Sequence, residues 1–347
     1  MASSADYEHV FLLLYANVTG QALAVALDLE IADKIDAGLT EPAELARDLG
    51  ADPLNLTRLL RALVALGLCT EDADGRFGLT ASGELLRTTD PNSLADLAKL
   101  TTAHIGDLVG WREMKSSVLT GKCAFEERNG TDFFGYLTAH PELYRSLNLA
   151  MRGGSRLIGK EVAESYDFPR GAAVTDIGGG DGTLLANVLA AHPDMTGTVY
   201  DTPAGVEQAR ATLDEVGVAD RCTVTAGDFF ENVPAGSDVY LIKSVLHDWD
   251  DESSRRILVN CRRAIPDHGR LIILEPLLDD SAAASGSVYS RLSDLNMMTA
   301  LGGRERSRAD FEKLCADSGF DVVGARRLER FDIAVIEAVP VVAGDAR

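Results

Sequence analysis

Apolar residues recur at helical spacing through the first hundred residues, and short polar breaks divide them into segments. The stretch HVFLLLYANVTGQALAVALDLEIADKI predicts helices that are interrupted near Gly20. TEPAELARDLG predicts a further helix, with Thr40 as its N-cap and Gly50 at its end. ADPLNLTRLLRALVALGL predicts another helix, and CTEDADGRFGLTASG predicts two strands that turn at Asp74 and Gly75.

Two helices followed by a hairpin are typical of a winged helix, a fold that often binds DNA. In this chain the second helix offers only Arg58 and Arg61 as cations, and the hairpin offers only Arg76. A DNA backbone needs several cations on one face. The pattern therefore favours a structural or dimerisation role over DNA binding.

The pattern changes at Ala172, where short apolar runs begin to alternate with helical segments. AAVTDIG, TGTVYD, RCTVTAGD, SDVYLIKSVL and GRLIILEP predict strands, and DVVGARRLERFDIAVIEAVP predicts two final strands. Such alternation is typical of a mostly parallel, doubly wound α/β sheet. We place a winged-helix domain at residues 1–100, a helical linker at 101–165, and the sheet domain at 166–347.

Composition narrows the partners and the compartment. A length of 347 residues favours two domains, and 54 acidic against 33 basic residues give a net charge of -21. That charge argues against nucleic acid and anionic membrane as partners. Five scattered cysteines without C-x-x-C spacing indicate reduced thiols and no metal site. With neither a membrane-length apolar run nor a basic leader at the N-terminus, we expect a cytoplasmic protein.

The loop in VTDIGGGDGTLL follows the first strand of the sheet and opens a helix. A dinucleotide site needs G-x-G-x-x-G, but counting from Gly178 places Thr183 at the last position. Gly178, Gly180 and Gly182 instead form G-x-G-x-G after the acidic Asp176. This spacing resembles motif I of the S-adenosylmethionine-dependent methyltransferases, and it predicts that Asp176, Gly178 and Gly180 bind that cofactor.

Acidic residues at successive strand ends suit a cationic cofactor that has no pyrophosphate. Asp201, at the end of the second strand, is placed to accept both ribose hydroxyls. Asp228 and Phe229, at the end of the third strand, are placed to bracket the adenine. Each acid alone could equally be a surface cap or a turn residue, and it is their recurrence that favours a binding site.

His247 follows the fourth strand, at the edge of the sheet where ligands bind. Histidine is the natural side chain to accept a proton near neutral pH. A packed or capping histidine is the other interpretation. Asp248 is open to two interpretations as well, an N-cap for the following helix or a contact for the substrate.

LIKSVLHDWDDE, LIILEP and LGGRER together resemble the class I small-molecule O-methyltransferases of the plant caffeic-acid and bacterial antibiotic-tailoring type. The resemblance implies a Rossmann-like methyltransferase sheet behind an all-helical winged-helix dimerisation domain. It implies that His247 is the general base and that Glu275 and Glu305 flank its imidazole. It further implies cofactor contacts at Ser155, Lys243 and Trp249, and substrate contacts at Met151, Asn296 and Met297.

The implied reaction is methyl transfer from S-adenosylmethionine to a hydroxyl of a small aromatic secondary metabolite, without a metal, in a homodimer formed through the N-terminal domain. Decarboxylation or hydroxylation on the same fold, N-methylation, and a winged-helix regulator remain alternatives. Met297 and Trp249 could be core residues, and Glu305 could simply pair with an arginine. Arg152-Gly153-Gly154 departs from the plant members, so the acceptor stays unidentified.

Overall fold

The computed structural model describes residues 2–105, 108–278 and 288–342. The chain forms two compact units. The first contains residues 1–108 and 149–154, and the second contains residues 109–148 and 155–347. The boundaries at 100 and 165 stay a prediction.

The first unit is helical apart from one hairpin, as the sequence predicted. Its antiparallel strands are β1 (Cys69–Glu71) and β2 (Phe77–Leu79). Its helices are Ser4–Leu14, Ala16–Asp28, Ile31–Asp36, Pro42–Leu49, Pro53–Ala65, Ala81–Glu84 and Ala95–Lys99, followed by a π-helix at Leu100–Ile105. Leu45, Leu60 and Phe77 are buried at its core.

Two predicted details of the first unit are wrong. The first interruption lies at Tyr15, and the next helix runs through Gly20, which has no left-handed φ. The N-cap before Pro42 is Glu41 rather than Thr40, because Pro42 occupies the first helical position. Gly50 does end that helix, with a left-handed φ of 62°.

The first helix exposes its apolar side chains. No residue of Ser4–Leu14 is buried, and Phe11, Leu13 and Leu14 are all more than half exposed. No single described helix is long and apolar enough to cross a membrane. The first two helices pass that test of length and composition only together, as a pair bent by 56°.

The second unit is built on a seven-stranded sheet in the order β10-β11-β7-β6-β3-β4-β5. Its strands are β3 (Ala173–Ile177), β4 (Thr196–Asp201), β5 (Cys222–Ala226), β6 (Val239–Lys243), β7 (Arg270–Glu275), β10 (Phe320–Arg327) and β11 (Ala334–Pro340). β3 to β7 are parallel, while β11 runs antiparallel to β7 and to β10. The predicted doubly wound sheet is confirmed.

Helices cover both faces of this sheet and enclose two apolar cores, around Val199 and Leu241 and around Ile242 and Phe311. The helices of the second unit are Met114–Thr120, Ala124–Asn129, Phe133–Ala139, Pro141–Ser165 (which contributes residues 149–154 to the first unit), Thr183–Ala191, Ala209–Val216, Asp251–Ala264, Val288–Ala300 and Arg308–Ala316. A separate short pair joins β8 (Leu277–Leu278) to β9 (Arg306–Ser307).

The chain order reverses between β3 and β6, because β4 and β5 extend the sheet on one side and β7 on the other. In open α/β sheets, ligands bind beyond the carboxyl ends of the strands at this reversal. The glycine loop follows β3 and the His247 turn follows β6, so the topology brings the two predicted motifs to one place.

Candidate active site

Three glycines of the loop after β3 adopt a backbone conformation that other residues rarely adopt. Gly178, Gly180 and Gly182 have φ of 68°, 54° and 76°, the left-handed region that glycine tolerates best. A Cβ at Gly178 would lie 2.5 Å from Val245 Cγ2, so this glycine also admits the neighbouring turn. A Cβ at Gly180 would come no closer than 3.8 Å to Asn148 Oδ1. Gly180 therefore has room beside its backbone, with only an ordinary van der Waals contact to Asn148, and a ligand can approach it there.

Asp201, at the end of β4, holds this loop. Its Oδ2 accepts the Gly180 amide at 2.9 Å, and its Oδ1 accepts the Thr202 amide at 2.6 Å. Burial raises the pKa of the carboxyl. The acid predicted to bind ribose hydroxyls is thus also the acid that shapes the glycine loop. Each of its oxygens still has a second lone pair for a ligand.

Asp176, at the end of β3, is completely buried, and neither carboxylate oxygen has a hydrogen-bond partner among the described residues. Burial raises its pKa to about 7, although the charge of Lys243 opposes this rise. Burial also lowers the pKa of Lys243, which donates to Ser244 Oγ at 3.3 Å. A buried carboxylate without a partner is costly, and the bound cation of a ligand would relieve that cost. This orphaned acid fits the sulfonium or the ammonium of S-adenosylmethionine.

Asp176→Asn should stabilise the ligand-free protein at alkaline pH. The folded-state pKa is about 7 and the ordinary value is 3.8, so the wild type loses stability as pH rises from about 4 to 7. The full loss corresponds to about 4 kcal/mol at most, at about 1.36 kcal/mol per pH unit. Thermal melts at pH 5 and pH 8 should show the variant melting above the wild type, with the larger gap at pH 8.

Calorimetry of the same variant should show weaker binding of S-adenosylhomocysteine, because the product keeps the ammonium of the cofactor. A variant that melts below the wild type at pH 8 would mean that Asp176 is ionised there and that its attraction to Lys243 exceeds the cost of burying the carboxylate.

The helix Pro141–Ser165 presents polar side chains to the same region. Tyr144 Oη lies 3.2 Å from Thr202 Oγ1, and Asn148 Nδ2 donates to the Gly205 carbonyl at 3.3 Å. Two side chains four positions apart therefore fix the turn that follows Asp201. Ser155 lies two turns further along and is buried, on the second unit's part of this helix. Met151 belongs to the first unit's part and is 38% exposed.

Aromatic side chains surround Trp249. Phe134 stacks on its ring at 5.7 Å, and the rings of Phe229 and Phe230 meet it edge-on at 6.3 and 4.7 Å. Trp249 Nε1 is buried and finds no acceptor in the described part of the chain. The exposed Asp228 accepts the Phe230 amide at 2.8 Å. The two residues predicted to bracket adenine thus lie beside an aromatic cluster that contains Trp249.

His247 lies in a short helical turn, Leu246–Asp248, that follows β6. Ser244, with a left-handed φ of 53°, redirects the chain into this turn. His247 Nδ1 lies 3.0 Å from Glu305 Oε1 and 3.5 Å from Glu275 Oε2, while Nε2 lies 3.4 Å from Asp248 Oδ1. The structure therefore brings together all three predicted catalytic residues, with Asp248 on the opposite side of the ring.

The two glutamates make different contacts. Glu275 Oε1 accepts the amides of Val245 and Leu246 at 2.9 and 2.8 Å, so this carboxylate fixes the backbone that leads into the turn. Glu305 Oε1 accepts the Ser293 hydroxyl at 2.6 Å as well as the imidazole. Both side chains are fully buried, and their second oxygens have no hydrogen-bond partner within the described ranges.

This arrangement sets the charge of the cluster. Burial alone lowers the pKa of His247, but Glu275, Asp248 and Glu305 outweigh it and raise that pKa to about 10. Burial raises the pKa of Asp248 to about 7 and raises that of Glu275 as well. The ligand-free cluster therefore holds a proton strongly on the imidazole.

An imidazole and two carboxylates are also potential metal ligands. One ligand atom from each of His247, Glu275 and Glu305 lies within 4.8 Å of the others. Glu275 Oε1 already accepts two backbone amides, and Glu305 Oε1 accepts a hydroxyl. The two carboxylates therefore serve as hydrogen-bond acceptors for N–H and O–H groups of the protein. A site without a metal remains the prediction.

The two predicted substrate residues of the helix Val288–Ala300 differ in environment. Asn296 Oδ1 accepts Trp111 Nε1 at 2.7 Å, so its amide oxygen already has a protein donor. Met297 is 7% exposed. Both interpretations of Met297, core residue and pocket wall, stay open.

Comparison with known families decides the identity. The profile of the O-methyltransferase domain matches residues 111–321, and that of the O-methyltransferase dimerisation domain matches residues 11–89. The chain belongs to the O-methyltransferase family. The fold and the enzyme class expected from the sequence, an S-adenosylmethionine-dependent O-methyltransferase with an N-terminal dimerisation domain, are thereby confirmed.

Relatives of this O-methyltransferase carry out O- and N-methylation. O-demethylpuromycin-O-methyltransferase of Streptomyces alboniger is 42% identical, over 96% of this chain and 89% of the relative. 8-Amino-8-demethylriboflavin N,N-dimethyltransferase of Streptomyces davaonensis is 33% identical, over 85% of each chain. The crystal structure of a neocarzinostatin-biosynthesis O-methyltransferase, in complex with S-adenosylmethionine and 2-hydroxy-5-methyl naphthoic acid, is 35% identical, with a TM-score of 0.73 and coverage of 93% and 96%.

Sequence reasoning missed several residues that build the site of this O-methyltransferase. Asn148, Tyr144 and Ser293 are polar residues on helices, and only burial on an inward helical face could have drawn attention to them. Arg306 belongs to the LGGRER motif, but its sequence position gives no sign of burial, because arginine is mostly exposed in folded proteins.

Proposed function

We propose that this O-methyltransferase transfers a methyl group from S-adenosylmethionine to a hydroxyl of a small aromatic metabolite, with His247 as the general base. One observation carries the proposal: Glu305 holds Nδ1 of a histidine that lies at the ligand-binding edge of the sheet. The aromatic naphthoic acid bound by the crystallised relative supports the acceptor class.

In our proposal Nδ1 of neutral His247 carries the hydrogen. Glu305 Oε1 lies 3.0 Å from Nδ1 and also accepts the Ser293 hydroxyl, which supports an N–H donor at Nδ1. Nε2 is then the nitrogen that takes the proton from the acceptor hydroxyl. Glu275, Glu305 and Asp248 stabilise the imidazolium that forms.

S-adenosylmethionine, when bound, supplies an electrophilic methyl group on a sulfonium. In our proposal Asp176, Gly178, Gly180 and Asp201 hold it, with Ser155, Asp228, Phe229, Lys243 and Trp249. The orphaned carboxylate of Asp176 favours a cation, and the open face of Gly180 lets a ligand meet the backbone. Alignment of the acceptor oxygen supplies most of the acceleration, because little else must be activated.

The proposed acceptor site includes Asp248, whose carboxylate lies beside the proton-accepting Nε2. Asn296 and Met297 complete the proposed substrate wall on the second unit, and the substrate contact of Met151 stays a prediction from the resemblance. The dimerisation-domain match supports a homodimer, and we propose that the protein works in the cytoplasm, where small aromatic metabolites and the cofactor are available.

The rate should rise with pH over an unusually alkaline range. A base must be neutral to act, and the pKa of His247 is raised to about 10 in the ligand-free protein. In a plot of log kcat/KM against pH, the rise should therefore occur at a higher pH than the ordinary histidine pKa of about 6.5. Glu305→Gln removes a charge that raises this pKa, and it should move the rising limb to lower pH by about 1–3 pH units.

Measuring both proteins with one acceptor separates protein and substrate ionisation, because the acceptor's own pKa is common to both profiles. Superimposable limbs would mean that the titrating group is the acceptor and not His247.

An assay for S-adenosylhomocysteine tests the reaction itself. Purified protein is incubated with S-adenosylmethionine and matched pairs of aromatic acceptors, each pair differing only in hydroxyl against amine. Product formed with hydroxyl acceptors supports the proposal. Product formed only with amines would select the N-methylation seen in a relative. Acceptor conversion without S-adenosylhomocysteine would select decarboxylation or hydroxylation.

A further inference from the structure

Residues 303–306 lie directly along the backbone of the His247 turn. A Cβ at Gly303 would come within 2.1 Å of the His247 carbonyl oxygen and 2.4 Å of the Asp248 carbonyl carbon. The next amide, that of Arg304, donates to the His247 carbonyl at 2.9 Å. Only a glycine at position 303 permits this approach, so the segment acts as a support on which the turn rests.

Arg306 ends this support with a guanidinium that has no exposed surface. Its Nη1 donates to the Leu246 carbonyl at 2.6 Å, and its Nη2 donates to the Trp249 carbonyl at 2.9 Å. These two carbonyls flank His247 and Asp248 in the sequence. A planar guanidinium has a fixed spacing between its donors, so it fixes the distance between the two ends of the turn.

Nε and Nη2 of Arg306 have further partners. Nε and Nη2 reach Asp251 Oδ1 at 3.0 and 2.9 Å, and Nη2 reaches Ser254 Oγ at 3.1 Å. Ser254 in turn donates to the Leu246 carbonyl at 3.1 Å. A buried arginine with this many partners is held in a single orientation.

Consecutive residues thus hold two parts of one histidine. Glu305 holds the imidazole through Nδ1, and Arg306 holds the backbone on both sides of it. Arg306 also begins β9, which pairs with β8 just beyond Glu275. The imidazole of His247, the backbone around it and Glu275 are therefore all held next to the short β8–β9 pair.

We propose that Arg306 is a positioning residue for His247, fixing the turn so that Nε2 points at the acceptor hydroxyl. This inference rests on the proposed function, because it requires His247 to be the base. Arg306 itself touches neither acceptor nor cofactor in the proposal, and it acts only through the carbonyls of Leu246 and Trp249.

Arg306→Lys tests the inference, with Arg221→Lys as the matched control. Arg221 also clamps backbone carbonyls, those of Leu189, His192 and Met195, but it does so away from the turn. We expect Arg306→Lys to lower kcat by about 10–100-fold, the cost of a small misplacement of a reacting group. The rising limb of log kcat/KM should move toward the ordinary histidine pKa.

Arg221→Lys should lower the melting temperature while leaving kcat and the pH profile unchanged. An Arg306→Lys variant that does the same would overturn the inference, since Arg306 would then serve stability alone. Ser254→Ala keeps the buried cation but removes one tie to the Leu246 carbonyl. If Arg306→Lys does not fold, a shifted pH profile in Ser254→Ala supports the inference and an unshifted profile overturns it.

His247→Gln separates the two proposals. Normal turnover in that variant would show that His247 is not the base, and Arg306 could then have no role in positioning it. Lost turnover in His247→Gln together with wild-type kinetics in Arg306→Lys would overturn the positioning inference alone.

Discussion

Replacing His247 by Gln is expected to reduce kcat by about 10²–10⁴-fold, the usual contribution of a general base. Glutamine keeps a polar side chain of similar length, so Glu305 and Asp248 retain a hydrogen-bonding neighbour while the basic nitrogen is lost. Calorimetric affinity for S-adenosylhomocysteine should stay near the wild-type value, because Asp176, Asp201 and Asp228 lie at other strand ends and the substitution leaves Lys243 and Trp249 unchanged. Single-turnover kinetics would locate the loss in the chemical step.

His268→Gln is the matched control for this experiment. His268 also pairs with a carboxylate, that of Asp238 at 3.2 Å, but it is solvent-exposed and precedes β7, at the opposite edge of the sheet. Its replacement should leave kcat unchanged. Wild-type turnover in His247→Gln would show that acceptor alignment alone suffices and that His247 is no base.

Replacing Asp201 by Ala is expected to weaken binding of S-adenosylhomocysteine by about 100-fold or more. The carboxylate orders the glycine loop through the Gly180 amide and the turn through the Thr202 amide. Hydrogen bonds to a charged group contribute about 1.5–3 kcal/mol each, and the loss of the two predicted ribose hydrogen bonds accounts for an effect of this size. Isothermal titration of the variant measures the affinity directly.

Asp238→Ala provides the comparison. Asp238 accepts the Ala173 amide at 2.9 Å just before β6, so it has a similar structural role at the opposite end of the strands. Its loss should lower stability and leave cofactor affinity unchanged. Equal weakening in both variants would mean that the Asp201 effect reflects general unfolding of the sheet. Wild-type affinity in Asp201→Ala would place the cofactor elsewhere.

The order of elements and the place of the site could be predicted from the sequence. Strands that alternate with helices allow few sheets, because right-handed crossovers and buried parallel strands exclude most topologies. Gly178, Gly180 and Gly182 carry their own constraint, since a left-handed backbone favours glycine whatever surrounds it. Local conformational energy therefore fixes the loop, and topology fixes the edge at which it meets His247.

Details that depend on competing neighbours could not be predicted. The break at Tyr15 and the cap at Glu41 depend on which backbone groups find partners, which a window of sequence does not show. The exposed apolar face of the first helix looks in sequence like any core helix. Only the structure shows that the residues it describes leave these side chains exposed.

The sequence by itself determined the residue types of the catalytic cluster, because LIKSVLHDWDDE contributes His247 and Asp248, LIILEP contributes Glu275, and LGGRER contributes Glu305. Only the tertiary structure decided how those groups act. It brought Glu305 to the imidazole, Glu275 to the preceding amides and Arg306 to the flanking carbonyls, across separations of 29 to 60 residues. Hydrogen bonds need their atoms within about 3.5 Å and suitably aligned. No pattern along the chain specifies that geometry, since it arises only when distant strands pack side by side.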